Sequence, residues 1–188
     1  MVNVHDDPLE IVPSQYEEWV DEFIAERDRL RETLEAAGLW YTVERIHHVG
    51  STAVPGLAAR DIVDIDIVVR DTAVFEVSRT IETELGGTRQ ENAPGWHPVF
   101  RSVDGQRLND HVFASSSNGW KVSVVTRDVL RNQPELAMEY ERLKRRLLTE
   151  HDGLEAYSVG KTGFMEELLS IARNEEAFEY AFEIPDPP

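Results

Sequence analysis

Cysteine is absent from the 188 residues, which excludes disulfides and thiolate metal sites. Lysine is almost absent: Lys121, Lys144 and Lys161 are the only three. Basic residues number 19 against 36 acidic ones, giving a formal net charge of −17. A surface of that sign repels a phosphate backbone, so no nucleic-acid polymer is expected as a partner. A small nucleotide is not excluded, because a metal ion and a few local cations can reverse the field inside one pocket. Acidic side chains offset by arginine rather than lysine suggest a chain kept soluble in concentrated salt, which speaks of habitat and not of function. No apolar run approaches the roughly 18 residues of a membrane span. The stretch Met1–Asp6 lacks the basic and apolar pattern of an export signal. No membrane partner is expected, and the cytoplasm is the expected location.

What is present suits one α/β (α+β) domain spanning residues 1–188, because this length falls within the range of a single core. Hydrophobic residues make up 41% of the chain, enough for that core. Trp19, Phe23, Leu30 and Leu34 recur at helical spacing, so 16–37 reads as an amphipathic helix stopped by Gly38. Residues 41–49 read as a strand, 50–60 as a turn with at most a short helix, and 62–70 as the clearest strand. A helix is expected over 72–85 and a loop over 86–96. Strands are expected over 97–103 and 107–114 around Asp104-Gly105. From Trp120 the pattern becomes helical, with helices expected over 134–150 and 159–173. A tail from about 175, rich in proline at its end, is expected to fray. The order describes a small mixed sheet flanked by helices.

Alternation along the strand 62–69 places Val63, Ile65, Ile67 and Val69 on one apolar face. Ile62, Asp64, Asp66 and Val68 fall on the other. Two carboxylates about 7 Å apart on a strand can share a divalent ion, and hard Mg²⁺ is the usual guest of oxygen ligands. The bland reading is a solvated strand face. Upstream, Val49-Gly50-Ser51 follows a strand. Such a corner exposes backbone N–H groups and a hydroxyl that can hold phosphate oxygens. A Gly-Ser pair alone is an ordinary turn; its weight comes from the acids that follow it.

Hydrophobic-Gly-Ser, a short gap and then Asp64-Ile65-Asp66-Ile67 resembles the signature of the nucleotidyltransferase superfamily. More closely, His48-Val49-Gly50-Ser51-Thr52-Ala53-Val54-Pro55-Gly56-Leu57-Ala58-Ala59 and Ile62-Val63-Asp64-Ile65-Asp66 resemble the GrpB family, a branch of that fold. His111-Val112-Phe113, Arg127-Asp128, Pro134-Glu135, Leu143-Lys144, Tyr157, Lys161 and Phe164 extend the resemblance over about residues 10 to 173. It implies a nucleotidyltransferase-like fold and a candidate site, but no substrate; the leading expectation from the residues together is Mg²⁺-dependent nucleotidyl transfer from a nucleoside triphosphate to an unidentified acceptor. Asp64 and Asp66 would hold the metal. Gly50, Ser51 and His48 would contact the triphosphate, and Arg60 and Lys161 would offset its charge, with Arg127 a further candidate. A third carboxylate should come from a neighbouring strand. Either Asp110 supplies it, or the site face carries Asn109 and His111 instead. Departures from the family pattern are Arg60-Asp61 in place of Lys-Pro, His47 in place of an acid, and Thr126 in place of an aromatic. The alternative to catalysis is a nucleotide-sensing or partner-binding module that keeps the fold. Trp96, beside Gly95, is a candidate to stack on a base.

Overall fold

The computed structural model describes residues 10–150, 154–175 and 177–186. Met1–Asp6 and the last two prolines, on which the export-signal and tail readings partly rest, lie outside the described residues. The chain opens with helix α1 (Tyr16–Ala36) and, after a 3₁₀ turn at Trp40–Thr42, strand β1 (Val43–Val49). Strand β2 (Ile62–Val69) and helix α2 (Val74–Leu85) follow. Three strands come next: β3 (Thr88–Arg89), β4 (Trp96–Val103) and β5 (Gln106–Ala114). Helices α3 (Asn118–Asn132), α4 (Pro134–Glu150), α5 (Leu154–Val159) and α6 (Thr162–Asn174) complete the fold.

The strands form one mixed sheet in the order β1-β2-β5-β4-β3. The β2–β5 pair is parallel and the other pairs are antiparallel. A parallel pair requires a crossover, which α2 and the β4 hairpin strand provide here.

The back face carries the main core. Trp19, Leu30 and Leu34 of α1 and Val74, Val77 and Ile81 of α2 pack on Val63, Ile65, Ile67 and Val69. These four are the residues that alternation assigned to the buried face. Each such aliphatic side chain contributes about 1.5–3 kcal/mol by leaving water. The front face is not a solvated strand surface. Helix α3 lies over it, with Trp120 and Val124 packed on Val49, Val68 and Phe113. Ser117 caps α3 by accepting from the Gly119 amide at 3.1 Å. Gly119 is small by necessity: a Cβ there would stand 2.5 Å from the Phe113 ring. Helices α3, α4 and α6 form a second apolar cluster with Val54 and Leu57 from the loop after β1.

Several boundaries differ from the sequence expectation. The stretch 86–96 holds the short strand β3, paired with β4 through Thr88 and Arg89. The last helical segment divides into α5 and α6 at Gly160, where a Cβ would meet Leu147 of α4. The tail is irregular chain over residues 177–186. Phe182 meets Trp120 edge-on with centroids 4.9 Å apart, and Tyr180 stacks on Phe182. Arg173 bonds the Pro185 carbonyl and pairs with Asp186 at 3.2 Å.

Candidate functional site

A cleft of about 520 Å³ lies between the front of the sheet and helices α3 to α6. Its floor is set by register. In the parallel β2–β5 pair, Asp64 lies opposite Asn109 and Asp66 opposite His111. All four therefore share the front face, and all four line the cleft. Asp110 points to the back, because strand neighbours alternate faces. It is fully buried there, bonded to Arg101 at 3.1 Å, and Arg101 also pairs with Glu26 of α1. Asp110 is thus not brought to the two acids. Of the two arrangements left open by the sequence, the front face carries Asn109 and His111.

Asp64 is held on three sides. Asn109 Nδ2 donates to Asp64 Oδ1 at 2.9 Å, and His111 Nε2 stands 3.6 Å from the same oxygen. The third neighbour is Gly50, whose φ of 72° suits glycine. A Cβ on Gly50 would stand 2.5 Å from Asp64 Oδ2, so the corner and the carboxylate fit only without a side chain. Burial opposes ionisation of Asp64, yet the His111 hydrogen bond and charge, with Arg60 and Asn109, bring its pKa below the ordinary carboxylate value. Burial likewise opposes protonation of His111, but Asp64, then Asp66 and Asp110, raise its pKa. Trp96 Nε1–H donates to His111 Nδ1 at 3.3 Å, so the neutral ring carries its proton on Nε2, toward Asp64.

Asp66 differs. It is 1% exposed, and among the described residues neither carboxylate oxygen has a hydrogen-bond partner. The nearby Ser123 hydroxyl spends its proton on the Gly119 carbonyl at 3.2 Å. Burial raises the Asp66 pKa to about 7, against the opposing influence of His111 and Ser123. A buried carboxylate without partners is costly unless a cation meets it. The residues therefore fit a divalent ion held by Asp64 and Asp66. Among the described residues no three His, Cys, Asp or Glu side chains gather as a metal cage. Mg²⁺ suits that arrangement, since it takes one or two carboxylates and completes its shell with water and phosphate oxygens.

The Gly50-Ser51 corner is clamped from the helices. Arg127 donates to the His48 carbonyl at 2.9 Å, and Arg131 to the Ala53 carbonyl at 2.7 Å. Glu141 accepts from the Ala58 amide at 3.3 Å. Arg127 also pairs with Asp128 at 2.7 Å while lining the cleft. Gly50, Ser51, Arg60 and Lys161 line the cleft with the acids. His48 does not: it stacks on Phe23 of α1 and meets Thr52 Oγ1 at 3.1 Å. Burial, with nearby arginines, holds its pKa down at about 4 against Asp64. The register puts His47, not His48, beside Asp66 on the front face, where it stacks on Trp120. Trp96 lines the outer part of the cleft, stacked on Phe113 with the rings 6° from parallel.

Sequence reasoning missed Lys144 as a site residue. It is 2% exposed and donates to Ser51 Oγ at 3.1 Å and to the Ala58 carbonyl at 2.5 Å. The signal was available: Ala137, Tyr140, Lys144 and Leu147 are the buried stripe of α4, at spacings of a helix face. A lysine in such a stripe is placed for a polar partner.

A model of the GrpB protein family matches residues 8–170. The chain is 32% identical over 158 residues to the UPF0157 protein BH1888 of Halalkalibacterium halodurans, covering 82% of this chain and 77% of that one. It is 29% identical over 148 residues to the UPF0157 protein YqkA of Bacillus subtilis, covering 77% of this chain and 42% of that longer protein. The crystal structure of the conserved protein GrpB from Enterococcus faecalis superposes with a TM-score of 0.70 at 24% identity, over 85% of this chain and 94% of that one. That likeness concerns the fold. The protein is a mixed α/β domain with a five-stranded sheet, and it belongs to the GrpB family. No helix among the described residues is long and apolar enough to cross a membrane.

Proposed function

We propose that the cleft binds a nucleoside triphosphate together with Mg²⁺. The observation that carries this reading is Asp66, a buried carboxylate with both oxygens unpartnered, next to Asp64 and facing a cleft of nucleotide size. Asp64 and Asp66 would hold the ion. Bound there, Mg²⁺ would supply a Lewis acid that draws charge from the phosphates. Gly50 lets the phosphates approach its backbone, Ser51 offers its hydroxyl, and Arg60 and Lys161 offset their charge. Trp96 offers a flat wall to a base.

Binding is the reading supported best. The third strand position carries Asn109 and His111 rather than a carboxylate, and both ring nitrogens of His111 are already engaged, by Asp64 and by Trp96. Nucleotidyl transfer to an acceptor hydroxyl is the second reading. It is favoured by the retained acid pair beside a clamped Gly-Ser corner.

Calorimetric titration of ATP, GTP, CTP and UTP, with and without Mg²⁺, tests the proposal. At least one nucleotide is expected to bind in a Mg²⁺-dependent way, and Asp66→Asn to weaken it by about tenfold or more. Metal-dependent binding left intact in Asp66→Asn would sink the assignment. Pyrophosphate release with an added hydroxyl acceptor would decide for transfer over binding.

A further inference from the structure

Behind the Gly50-Ser51 corner lies a narrow recess of about 100 Å³. Small-molecule sites span roughly 300–1,000 Å³, so the recess admits one small group and no nucleoside. Its charge is opposite to that of the protein. Among the described residues, Arg60, Lys144 and Lys161 line it against one carboxylate, Asp64, in a chain of net charge −17. Two of the protein's three lysines are spent here.

Aromatic rings line the cations, and the hydrogen bonds of Lys144 go to neutral groups. Lys161 Nζ lies 4.6 Å and the Arg60 guanidinium 5.6 Å from the Tyr157 ring centroid, and Lys144 Nζ lies 5.0 Å from that of Tyr140. Lys144 gives its hydrogen bonds to a hydroxyl and a carbonyl, neither of them charged. A buried ammonium with neutral partners, beside two more cations, is a positive centre that an anion would balance. Asp64 does not fill that role alone, being already engaged by Asn109 and His111.

We propose that this recess is a metal-independent site for a single phosphoryl group, free or at the end of a polyphosphate or phosphate ester, held by Lys144, Lys161 and Arg60. It shares Ser51 with the nucleotide reading and deepens it, but needs neither a nucleoside nor Mg²⁺. The charge balance agrees. Burial, then Lys161, Arg145 and Arg60, lower the Lys144 pKa to about 7 against Glu141. Burial and Arg60 lower that of Lys161 to about 8 against Asp64. Tyr140 and Tyr157, the other titratable groups facing them, have raised pKa values and stay neutral. An anion among these groups favours the charged amines, so binding at pH 8 takes up protons.

The test is calorimetry on metal-free protein at pH 8 with phosphate, pyrophosphate, ATP and adenosine, in two buffers of different ionisation enthalpy. Phosphate or pyrophosphate is expected to bind with proton uptake, and adenosine not to bind. Lys144→Met is expected to weaken binding about tenfold or more and to reduce the proton uptake; Lys121→Met, on the exposed start of α3, should match wild type. Methionine keeps the shape of the lysine stem, and a thermal melt checks folding; Lys161→Met provides a second variant should the first be unstable. ATP binding tighter than pyrophosphate would identify the end of a nucleotide as the source, and the reverse a free anion. Failure of wild type to bind any of the phosphates without metal, or equal binding by both lysine variants, would overturn the proposal. The nucleotide reading fails separately: pyrophosphate binding without Mg²⁺-dependent nucleotide binding removes it and leaves the recess standing.

Discussion

Both faces of the central sheet bury carboxylates, and they treat them differently. At the back, Glu26 and Asp110 converge on Arg101, which is 2% exposed, and the group is closed off by α1. At the front, Asp66 is as deeply buried and has no partner, while the cations gather in a recess lined by Asp64 and not by Asp66. Charges that neutralise each other inside a closed core serve the fold. Charges of both signs kept apart around an open cleft are placed for something that arrives with charges of its own. The distinction is one of pairing and not of burial, and it can be broken from either side.

The largest effect is expected at the back. Arg101→Met would leave Asp110 buried without its counterion and Glu26 with Arg29 of α1 alone, at a cost of about 3–5 kcal/mol. Urea unfolding measures it. The triple variant Glu26→Gln, Arg101→Met, Asp110→Asn should recover most of that loss, because an uncharged core of similar shape is often as stable as a buried ion cluster, and Arg29, which also pairs with Glu26, is 35% exposed and can turn to water. Asp110 Oδ1 and Arg101 Nε have no partner even in the native cluster, which leaves room for such recovery. If Arg101→Met alone were nearly neutral, the back cluster would not be the closed, mutually dependent unit described here.

At the front, removing a charge should help the free protein. The Asp66 carboxyl titrates at about 7 when folded, against an ordinary value of 3.8. Between those values the folded chain keeps a proton that the unfolded chain has shed, so stability falls as pH rises through this window. The full shift corresponds to roughly 4 kcal/mol as an upper bound. Asp110, also raised to about 7, adds a parallel slope from the back face. Asp66→Asn should remove the front share alone. In metal-free urea unfolding at pH 5 and pH 8, the variant is expected to lose about 2–3 kcal/mol less than wild type between the two. An unaltered slope would mean that Asp66 already has a partner in the free protein.

The elements of this comparison were unequally legible in the sequence. Apolar alternation in 62–69 gave the back face of β2 correctly, because period-two burial is a local property. The acid pair Asp64 and Asp66 was legible for the same reason. The cover over that face was not, since it depends on Trp120 and Val124 of α3 packing on Val49 and Val68, contacts between positions distant in the chain. Nor was the choice between His47 and His48, because a shift of one residue in β1 against β2 exchanges them. The parallel register of β5 decided between Asp110 and the pair Asn109 and His111, and no local signal carries a register. Lys144 was legible in principle from its place in the stripe of α4, but its partners, Ser51 and Ala58, lie 93 and 86 residues away.

The smallest effect concerns how the front face is tuned. Trp96 gives its indole N–H to His111 Nδ1, which favours the neutral ring and opposes the pull of Asp64 toward the cation. Trp96→Phe keeps a ring against Phe113 and removes that donor, so Nδ1 becomes free to take a proton. A neutral hydrogen bond contributes about 0.5–1.5 kcal/mol, and its loss should raise the His111 pKa further. Titration of the imidazole by NMR in metal-free protein reads this directly, and stability should change little because the aromatic contact survives. A pKa that stays put or falls would show that the indole N–H does not restrain His111. The raised His111 pKa would then be set by the neighbouring acids alone, and the aromatic wall of the cleft would have no part in its charge.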